Sequence, residues 1–202
     1  MKKSIKIILV ILLVLILLYG IYVVYKYCMF DKLYKLASNL PELDNVYFEQ
    51  DTSRQKITYY KLNDIAKMQF ESKNGEGTIV AWNNYGDDEY CNLFTKDQTY
   101  NTVHCVEYSV PYYDLTKNNW SVKDKLIMAM KPTENVTSAK YNGYDCYKYT
   151  SNGQVTYIEK ENGIIVYEKL ENEETITKFT VNTVMENDVE KPTTDGFTFK
   201  KI

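Results

Sequence analysis

Residues 141–185, YNGYDCYKYTSNGQVTYIEKENGIIVYEKLENEETITKFTVNTVM, decide the fold. The pair Asn-Gly recurs at a ten-residue interval, at 142–143, 152–153 and 162–163. Asn-Gly is favoured in tight turns whose two central residues need positive φ, and such turns join adjacent antiparallel strands. The stretch therefore predicts a meander of four strands, Tyr144–Ser151, Gln154–Glu161, Ile164–Leu170 and Thr175–Met185.

The preceding part of the chain repeats a period-two pattern. In Ala66–Ser72, apolar residues alternate with Lys67, Gln69 and Glu71, which is typical of a strand with one solvent-exposed face. The other expected strands are Val46–Gln50, Lys56–Lys61, Thr78–Trp82, Glu89–Phe94 and Thr99–Tyr108. With about ten strands in all, we predict a mainly β chain with two short helices, whose antiparallel sheet curls into an incomplete barrel lidded by the helices.

Two segments have helical periodicity. Residues 31–40 have leucine or alanine at i, i+3, i+4 and i+7, with Asp31 placed to cap the start and Pro41 to stop the end. We expect this apolar stripe either to fill the concave side of the sheet or to lie on a membrane surface. The second helix is expected at Val122–Met130, after a Ser121 cap. Its apolar face is Val122, Leu126, Ile127 and Met130.

The amino terminus carries an uncharged run from Ile7 to Tyr25 after three lysines. As a helix this run reaches roughly 28 Å, close to the hydrocarbon thickness of a bilayer. Its bulky end offers no small-residue cleavage site, so we predict an uncleaved single-pass signal anchor in preference to a cleaved signal peptide. The Tyr-Lys-Tyr before Cys28 argues against lipidation there.

This anchor sets the expected domain organisation and location. Residues 1–29 are predicted to form a cytoplasmic tail and a transmembrane anchor, and residues 30–202 a single domain outside the cytoplasm, at the cell membrane. Lysines flank the run on both sides, so the positive-inside rule leaves the orientation open. The abundance of lysine, asparagine, isoleucine and tyrosine hints at an AT-rich bacterial genome, and hence at a bacterial cell-envelope protein.

The charge balance argues against a nucleic-acid partner. Residues 1–30 hold four lysines and no acid, so the remainder carries 20 basic groups against 27 acidic groups. Phosphate binding needs a concentrated basic surface, which this balance does not favour.

Several runs resemble lipoprotein-localisation (LolA/LolB-like) domains. They are Lys61–Met68 followed by Gly77–Val80, then Tyr141–Tyr147, Tyr157–Val166, and a tail with Phe179, Val181, Asp188, Phe197 and Phe199. The resemblance covers residues 30–202, and it implies an open β-barrel whose apolar concavity, lidded by helices, holds acyl chains or another lipid-like ligand. Soluble members of the family are released into the periplasm, whereas this chain is predicted to be tethered. A tethered lipid-binding domain is therefore favoured over a carrier that travels between membranes.

A curled sheet can also be expected to present one inward row of apolar side chains. That row either lines a ligand cavity or packs as a dry core, and a one-residue slip in register would reverse which side chains face inward. The residues expected to line the cavity are Met68, Phe70, Val80, Trp82, Tyr157, Val166 and Phe179.

The sequence does not favour an enzyme. His104 is the only histidine, and no Gly-x-Ser-x-Gly motif or glycine-rich phosphate loop is present. With no Cys-x-x-Cys pair, we expect neither a metal site nor a cofactor.

A disulfide between Cys91 and Cys105 is considered because the two lie on one predicted hairpin. A two-residue turn at positions 97–98 would place Cys91 opposite His104, and one extra residue would place it opposite Cys105. Such a bridge would suit an oxidising exterior. Isolated thiols are the alternative.

Two functions are consistent with these features. The first is a tethered extracytoplasmic domain that binds a lipid, a lipoprotein acyl chain or another apolar ligand in a concave sheet. The second is a structural or regulatory interaction protein with a filled core, which contacts a membrane or envelope protein partner.

Overall fold

A computed structural model describes residues 2–104, 109–113 and 120–201. The protein is mainly β with two α-helices, as the sequence predicts. The helices are α1 (Lys2–Ser38) and α2 (Val122–Met130). The strands are β1 (Asn45–Asp51), β2 (Gln55–Leu62), β3 (Ile65–Ser72), β4 (Thr78–Asn84), β5 (Glu89–Phe94), β6 (Thr99–Asn101), β7 (Glu134–Tyr141), β8 (Tyr144–Ser151), β9 (Gln154–Glu159), β10 (Ile165–Leu170), β11 (Glu173–Val181) and β12 (Thr198–Phe199).

The strands of the described residues form one open sheet of twelve, in the order β12-β6-β5-β4-β3-β2-β1-β11-β10-β9-β8-β7. The chain divides into two compact units. Unit 1 comprises residues 1–40 and 113–163, with both helices and β7–β9. Unit 2 comprises residues 41–112 and 164–202, with the remaining strands.

Two of the three expected Asn-Gly turns are present in unit 1. The asparagines at 142 and 152 both have φ 47°, and the following glycines have φ 89° and 87°. These angles at both central residues are those of the predicted two-residue turn. The first turn pairs β8 with β7, a strand that the sequence analysis missed, and the second pairs β8 with β9.

The third Asn-Gly pair forms a wider loop, because the carboxylate of Glu159 caps it. This side chain accepts hydrogen bonds from the backbone N–H groups of Glu161 and Asn162, both at 2.7 Å. Strand β9 therefore ends at Glu159, two residues earlier than predicted. Gly163 retains a positive φ of 72°, and a Cβ added to it would overlap Cδ2 of Leu40.

The helix predicted at residues 31–40 is not a separate element. It is the end of α1, which runs without interruption from Lys2 to Ser38, so Asp31 lies inside a helix and does not cap one. The first part of α1 is apolar, exposed and long enough to cross a membrane, a combination found in membrane anchors and in signal sequences. The predicted domain boundary after residue 29 falls inside this helix.

The last three turns of α1 provide the core of unit 1. Met29, Phe30 and Leu33 are buried together with Ala129 of α2, Val136 of β7 and Ile158 of β9. The Phe30 ring lies 6.2 Å from the Trp120 ring and 6.3 Å from the Tyr149 ring, measured between centroids. The apolar stripe of this segment thus packs against protein side chains of its own unit.

Helix α2 presents the opposite face from the one predicted. Ser121 caps it as expected, in a capping box with Asp124. However, its buried residues are Lys125 and Ala129. The four apolar residues predicted to pack inward are exposed, namely Val122, Leu126, Ile127 and Met130.

Unit 2 is built on successive antiparallel hairpins from β1 to β6, with β11 pairing with the other edge of β1 and β10 with β11. β12 pairs in parallel with β6. After β11 the chain leaves the sheet at Asn182, whose φ is 60°, and forms a 3₁₀ turn at Glu186–Val189. This strand therefore ends at Val181, and not at Met185 as predicted.

Candidate ligand-binding site

The strand registers divide the seven predicted cavity residues between surfaces. In β3–β4, Met68 is opposite Ala81 and Phe70 is opposite Ile79, whereas Val80 is opposite Gln69 and Trp82 is opposite Lys67. Paired residues of an antiparallel sheet share a face, and successive residues alternate between faces. Met68 and Phe70 therefore lie on the face opposite to that of Val80 and Trp82, and the single expected row does not form.

The first surface, here called the Phe48 face, is a continuous cross-strand row in unit 2. Phe48 pairs with Phe179 on one side and with Tyr59 on the other, and Tyr59 pairs with Met68. The Phe48 and Tyr59 rings stack with centroids 4.8 Å apart. The members of the row are buried. Tyr167 pairs with Ile176, so Val166 lies opposite Thr177, which is on the same side of β11 as Phe179. Val166 therefore shares this face.

The opposite surface, the Trp82 face, has its own small core. Trp82 is buried with Cys91 and Leu93, and Val80 and Phe197 pack against this cluster. The indole Nε1 donates to the backbone oxygen of Val189 at 2.7 Å, so the carboxy-terminal segment covers the ring. Trp82 and Val80 are thus held by unit 2 itself.

Tyr157, the seventh predicted residue, belongs to unit 1. It is adjacent in β9 to the core residue Ile158 and therefore points to the other side of that strand. Its ring lies 4.9 Å from the Tyr141 ring, and Nζ of Lys148 lies 5.7 Å from its centroid. Whether any of the seven residues binds a ligand stays a prediction.

A cleft opens in unit 2 at one end of the Phe48 face, and it is called the Tyr59 cleft below. Its volume is about 420 Å³. It is lined by Glu42, Leu43, Asp44, Tyr59, Lys61, Asn63, Asp64, Tyr85, Ser109, Val110 and Tyr112. Tyr59 belongs both to this lining and to the buried aromatic row, so the cleft adjoins the apolar face.

Hydrogen bonds fix two of the tyrosines in this cleft. The Tyr112 hydroxyl donates to the backbone oxygen of Pro41 at 2.7 Å. Burial raises the pKa of Tyr112 to about 12, so its hydroxyl is neutral at ordinary pH. The Tyr85 hydroxyl accepts from Nδ2 of Asn83 at 3.2 Å. Asn83 is buried, and its Oδ1 has no partner among the described residues.

The polar lining of the Tyr59 cleft is mainly acidic. Three carboxylates, those of Glu42, Asp44 and Asp64, accompany the single ammonium of Lys61. Nζ of Lys61 lies 3.6 Å from Oδ1 of Asp44. Opposite charges at this distance attract, and the pair leaves the surroundings of the cleft net negative.

A second cleft of about 660 Å³ lies at the Trp82 face. Its lining includes Trp82, Asp64, Asp87 and Glu186. Lys191 also lines it, lies 5.1 Å from the Trp82 ring centroid and donates to Glu89 Oε2 at 2.8 Å. The aromatic surface of this cleft is thus already covered by a side chain of unit 2.

Sequence reasoning did not identify the residues of the Tyr59 cleft. Leu43 and Val110 lie outside the strands, where no periodicity assigns them a direction. Tyr59 was detectable, because in β2 it lies on the same side as Ile57 and alternates with the half-buried Thr58 and Tyr60. The sequence pattern of β2 does not specify its partner strands. Only the pairing of β2 with β1 and β3 brings Tyr59 next to Phe48 and Met68.

The hairpin with Cys91 has a different register from either one considered. Asn92 pairs with Asn101 and Phe94 with Thr99, so residues 95–98 form a four-residue loop, and continuing this register brings Cys91 towards Thr102. Cys91 is buried, and burial raises the pKa of its thiol. Cys105 lies outside the described residues, so the Cys91–Cys105 bridge stays a prediction.

The described residues contain no group of three histidine, cysteine, aspartate or glutamate side chains placed to hold a metal ion. Asp87 and Asp88 form turn contacts instead, with Asp87 accepting from Asn84 at 2.9 Å and Asp88 from Tyr90 at 2.7 Å.

Comparisons with known proteins give little further support. No protein-family profile matches the chain. No curated protein matches it. Among solved structures, it is similar to a DUF1329 family protein from Desulfovibrio piger, with 9% identity, a TM-score of 0.25, and coverage of 84% of this chain and 99% of that chain. The resemblance to lipoprotein-localisation domains therefore stays a prediction.

Proposed function

We propose that this chain is a membrane-tethered domain that binds the apolar part of an amphiphilic ligand in the Tyr59 cleft. The observation that supports this proposal most directly is the position of Tyr59, which lines the cleft and also stacks on Phe48 in the buried row. An acyl chain entering the cleft would meet aromatic and aliphatic surface from Tyr59, Leu43 and Val110.

The size of the cleft fits such a ligand. Small-molecule sites commonly have volumes of about 300–1,000 Å³ and combine an apolar lining with a few polar groups. The Tyr59 cleft, at about 420 Å³, is within this range and has this mixture. Removing apolar ligand surface from water contributes about 25 cal/mol per Å², which supplies a driving force without specific chemistry.

The polar lining selects among head groups. Three carboxylates against one ammonium repel an anionic head group and attract a cationic or neutral one. We therefore expect neutral or cationic amphiphiles to bind better than fatty acids.

The proposal includes the membrane location and the finer fold predicted from the sequence. Helix α1 is taken as an uncleaved anchor, with the remainder of the chain outside the cytoplasm of a bacterial cell. The sheet is taken as an incomplete barrel lidded by helices, similar to lipoprotein-localisation domains. The length and exposure of the apolar part of α1 support the anchor.

The alternative function, an interaction protein with a filled core, is favoured by one observation. Phe48 and Val166 are fully buried, and Met68 and Phe179 are only 7% and 8% exposed, so the Phe48 face is already packed. In that case the partner would be an envelope protein. A chain that binds no amphiphile would support this alternative.

A filled-cleft variant tests the proposal. The protein would be residues 22–202, which omits most of the apolar run but retains Val23, Lys26 and Met29, because these pack within unit 1. A dansyl-labelled acyl chain with a neutral head group should bind with a blue shift in emission. Val110→Trp fills the cleft and should weaken binding about tenfold or more, which is about 1.4 kcal/mol.

Val103→Trp is the matched control, because Val103 is 46% exposed and lies outside the cleft lining. It should bind the probe as the unmodified chain does, and circular dichroism checks that both variants are folded. Equal affinity in Val110→Trp and Val103→Trp would contradict the proposed site. Native mass spectrometry of the same protein provides an independent search for a co-purified lipid.

A further inference from the structure

Helix α2 exposes apolar side chains that no described residue covers. Val122 is 69% exposed, Leu126 and Ile127 are each 44% exposed, and Met130 is 53% exposed. At 100° per residue, Leu126, Met130 and Ile127 fall within an arc of about 100°, whereas the buried Lys125 and the half-buried Met128 project to the remaining side. Most surface helices bury such a stripe, so a covering surface is expected.

Two contacts fix the direction of α2 along α1. Lys125, in the middle of α2, has its Nζ 2.6 Å from Oδ1 of Asp31 and 4.3 Å from the Tyr34 ring centroid. At the end of α2, the backbone oxygen of Lys131 accepts from Nζ of Lys26 at 2.7 Å. The two helices are therefore antiparallel, and the last turn of α2 lies at the level of Lys26.

That level is the end of the apolar run. The run stops at Tyr25, and Lys26 is the next residue. The interfacial region of a bilayer extends several ångströms beyond the hydrocarbon on each side, so the last turn of α2 falls within it if α1 spans the membrane. Ile127 and Met130 are in that turn, whereas Val122 lies roughly 12 Å farther along the helix axis.

Charges around this turn fit a lipid surface. Lys131 is exposed directly after this turn, whereas the exposed Lys32 and Lys123 lie roughly 10 Å farther from the apolar run. The nearby acids are engaged, since Asp124 accepts from Ser121 at 2.6 Å and Asp31 pairs with Lys35 at 2.8 Å and with Lys125. Exposed lysines next to a membrane each contribute about 1 kcal/mol of attraction to anionic lipids.

We propose that the last turn of α2, with Leu126, Ile127 and Met130, inserts into the lipid interface of the bilayer that α1 crosses. This contact gives the domain a second attachment to the membrane and restricts its rotation about the anchor. It rests on the proposed anchoring by α1 and is independent of ligand binding in the Tyr59 cleft. Lys26 connects the two helices at this level. Its ammonium follows the apolar run directly and donates to the backbone oxygen of Lys131 at the end of α2.

The test uses the full-length chain reconstituted in vesicles of phosphatidylcholine and phosphatidylglycerol. In a Cys28→Ser background, which keeps the other three cysteines, a cysteine added at Met130, Lys123 or Lys140 carries an environment-sensitive nitrobenzoxadiazole label, and the signal of the background protein is subtracted. Nitroxide lipids with the spin label on an upper acyl carbon quench labels in the interface. Lys123 lies about 10 Å from Met130 along α2, and Lys140 lies about 20 Å along β7 from Glu134.

The Met130 label should be quenched several-fold more than the Lys123 label, and the Lys140 label should not respond. Ile127→Glu should reduce quenching at Met130 several-fold, whereas Val122→Glu, at the far end of the same face, should not change it. Quenching at Met130 no greater than at Lys140 would overturn the proposal.

A label at Leu15, inside the apolar run, separates two kinds of failure. If mid-chain nitroxides quench this label and the Met130 label is not quenched, the proposed insertion of α2 is contradicted and the proposed transmembrane anchor is supported. If the Leu15 label also escapes quenching, α1 does not span the bilayer, and both proposals fall together. Shielding of the Met130 label from aqueous quenchers without quenching by lipid would indicate a protein partner and would also overturn the proposal.

Discussion

The two units bury apolar surface in different ways. Unit 1 has three strands, and the end of α1 provides half of its buried apolar cluster, with Met29, Phe30 and Leu33. Unit 2 builds the Phe48 face from side chains of its own strands, and the Tyr59 cleft lies at one end of this face. The core of unit 1 thus depends on a helix, whereas the Phe48 face of unit 2 is assembled from cross-strand pairs.

The difference also concerns polar groups. Unit 1 places Lys125 inside its helix pair, where Asp31 compensates the charge. Unit 2 leaves buried acceptors such as Asn83 Oδ1 without a partner among its described residues. Four substitutions test this comparison, and each uses the full-length chain in detergent micelles.

The largest effect is expected from Leu33→Ala. Leu33 is 1% exposed in the unit 1 core, so its truncation should reduce the free energy of unfolding by about 2–5 kcal/mol. Leu126→Ala is the control, since Leu126 is 44% exposed, and it should change this free energy by less than about 0.5 kcal/mol. The chain has two tryptophans, Trp120 in unit 1 and Trp82 in unit 2.

Fluorescence of Trp120 in a Trp82→Phe background therefore reports on unit 1 during denaturation by urea. A shift of the Trp120 transition is expected for Leu33→Ala. If Leu33→Ala and Leu126→Ala shift it equally, the helix does not provide the core of unit 1 as described.

Gly163→Ala should reduce the free energy of unfolding by about 1–3 kcal/mol. The backbone at this position has a φ of 72°, and the added Cβ would meet Leu40, so the substitution combines backbone strain with a steric clash. Gly143→Ala has a similar φ but nothing within 4 Å, and it should cost less. An equal loss of unfolding free energy in both variants, measured by urea denaturation, would show that the Leu40 side chain moves aside without destabilising the protein.

Lys125→Met should reduce the free energy of unfolding by about 1–2 kcal/mol, less than for a fully buried ion pair, because Asp31 keeps Lys35 at 2.8 Å. The double variant Lys125→Met with Asp31→Leu should recover part of this loss, because neither charge then remains without its partner. Thermal melts of the four proteins give the coupling energy. If the effects of the two single substitutions on stability simply add in the double variant, the Lys125–Asp31 pair does not hold Lys125 on the buried side of α2.

Tyr112→Phe should have the smallest effect, about 1 kcal/mol, from the lost hydrogen bond to the backbone oxygen of Pro41. It should also change the pH dependence. The pKa of Tyr112 is raised from 10.0 to about 12 by burial, so the folded state retains a proton that the unfolded state loses. Stability therefore falls as pH rises from about 10 to about 12.

This fall should be less steep in Tyr112→Phe than in the unmodified chain. The matched control is Tyr149→Phe in unit 1, since burial also raises the pKa of Tyr149 to about 12. Ultraviolet absorption of ionised tyrosine gives the titration, and denaturation at each pH gives the stability. A profile unaltered by Tyr112→Phe would show that this hydroxyl is not shielded in the cleft.

Much of the fold was predictable because its signals are local. The Asn-Gly pairs at 142–143 and 152–153 specify turns by their own backbone preferences, and β8 between them begins and ends as predicted. The candidate site was less predictable. Leu43 and Val110 reach the Tyr59 cleft from segments without periodicity, and the row expected from Met68 to Trp82 crosses two faces of one sheet.

The sequence by itself determined the apolar run, the alternation of most strands, two tight turns and the limits of α2, because each depends on residues a few positions apart. Only the tertiary structure decided which side of each element is covered. The periodicity of α2 separates an apolar side from a side with Lys125, but Asp31, 94 residues away, draws that lysine inward and leaves Ile127 and Met130 exposed. No pattern within nine residues contains that partner, so the sequence of α2 alone does not decide which side is covered.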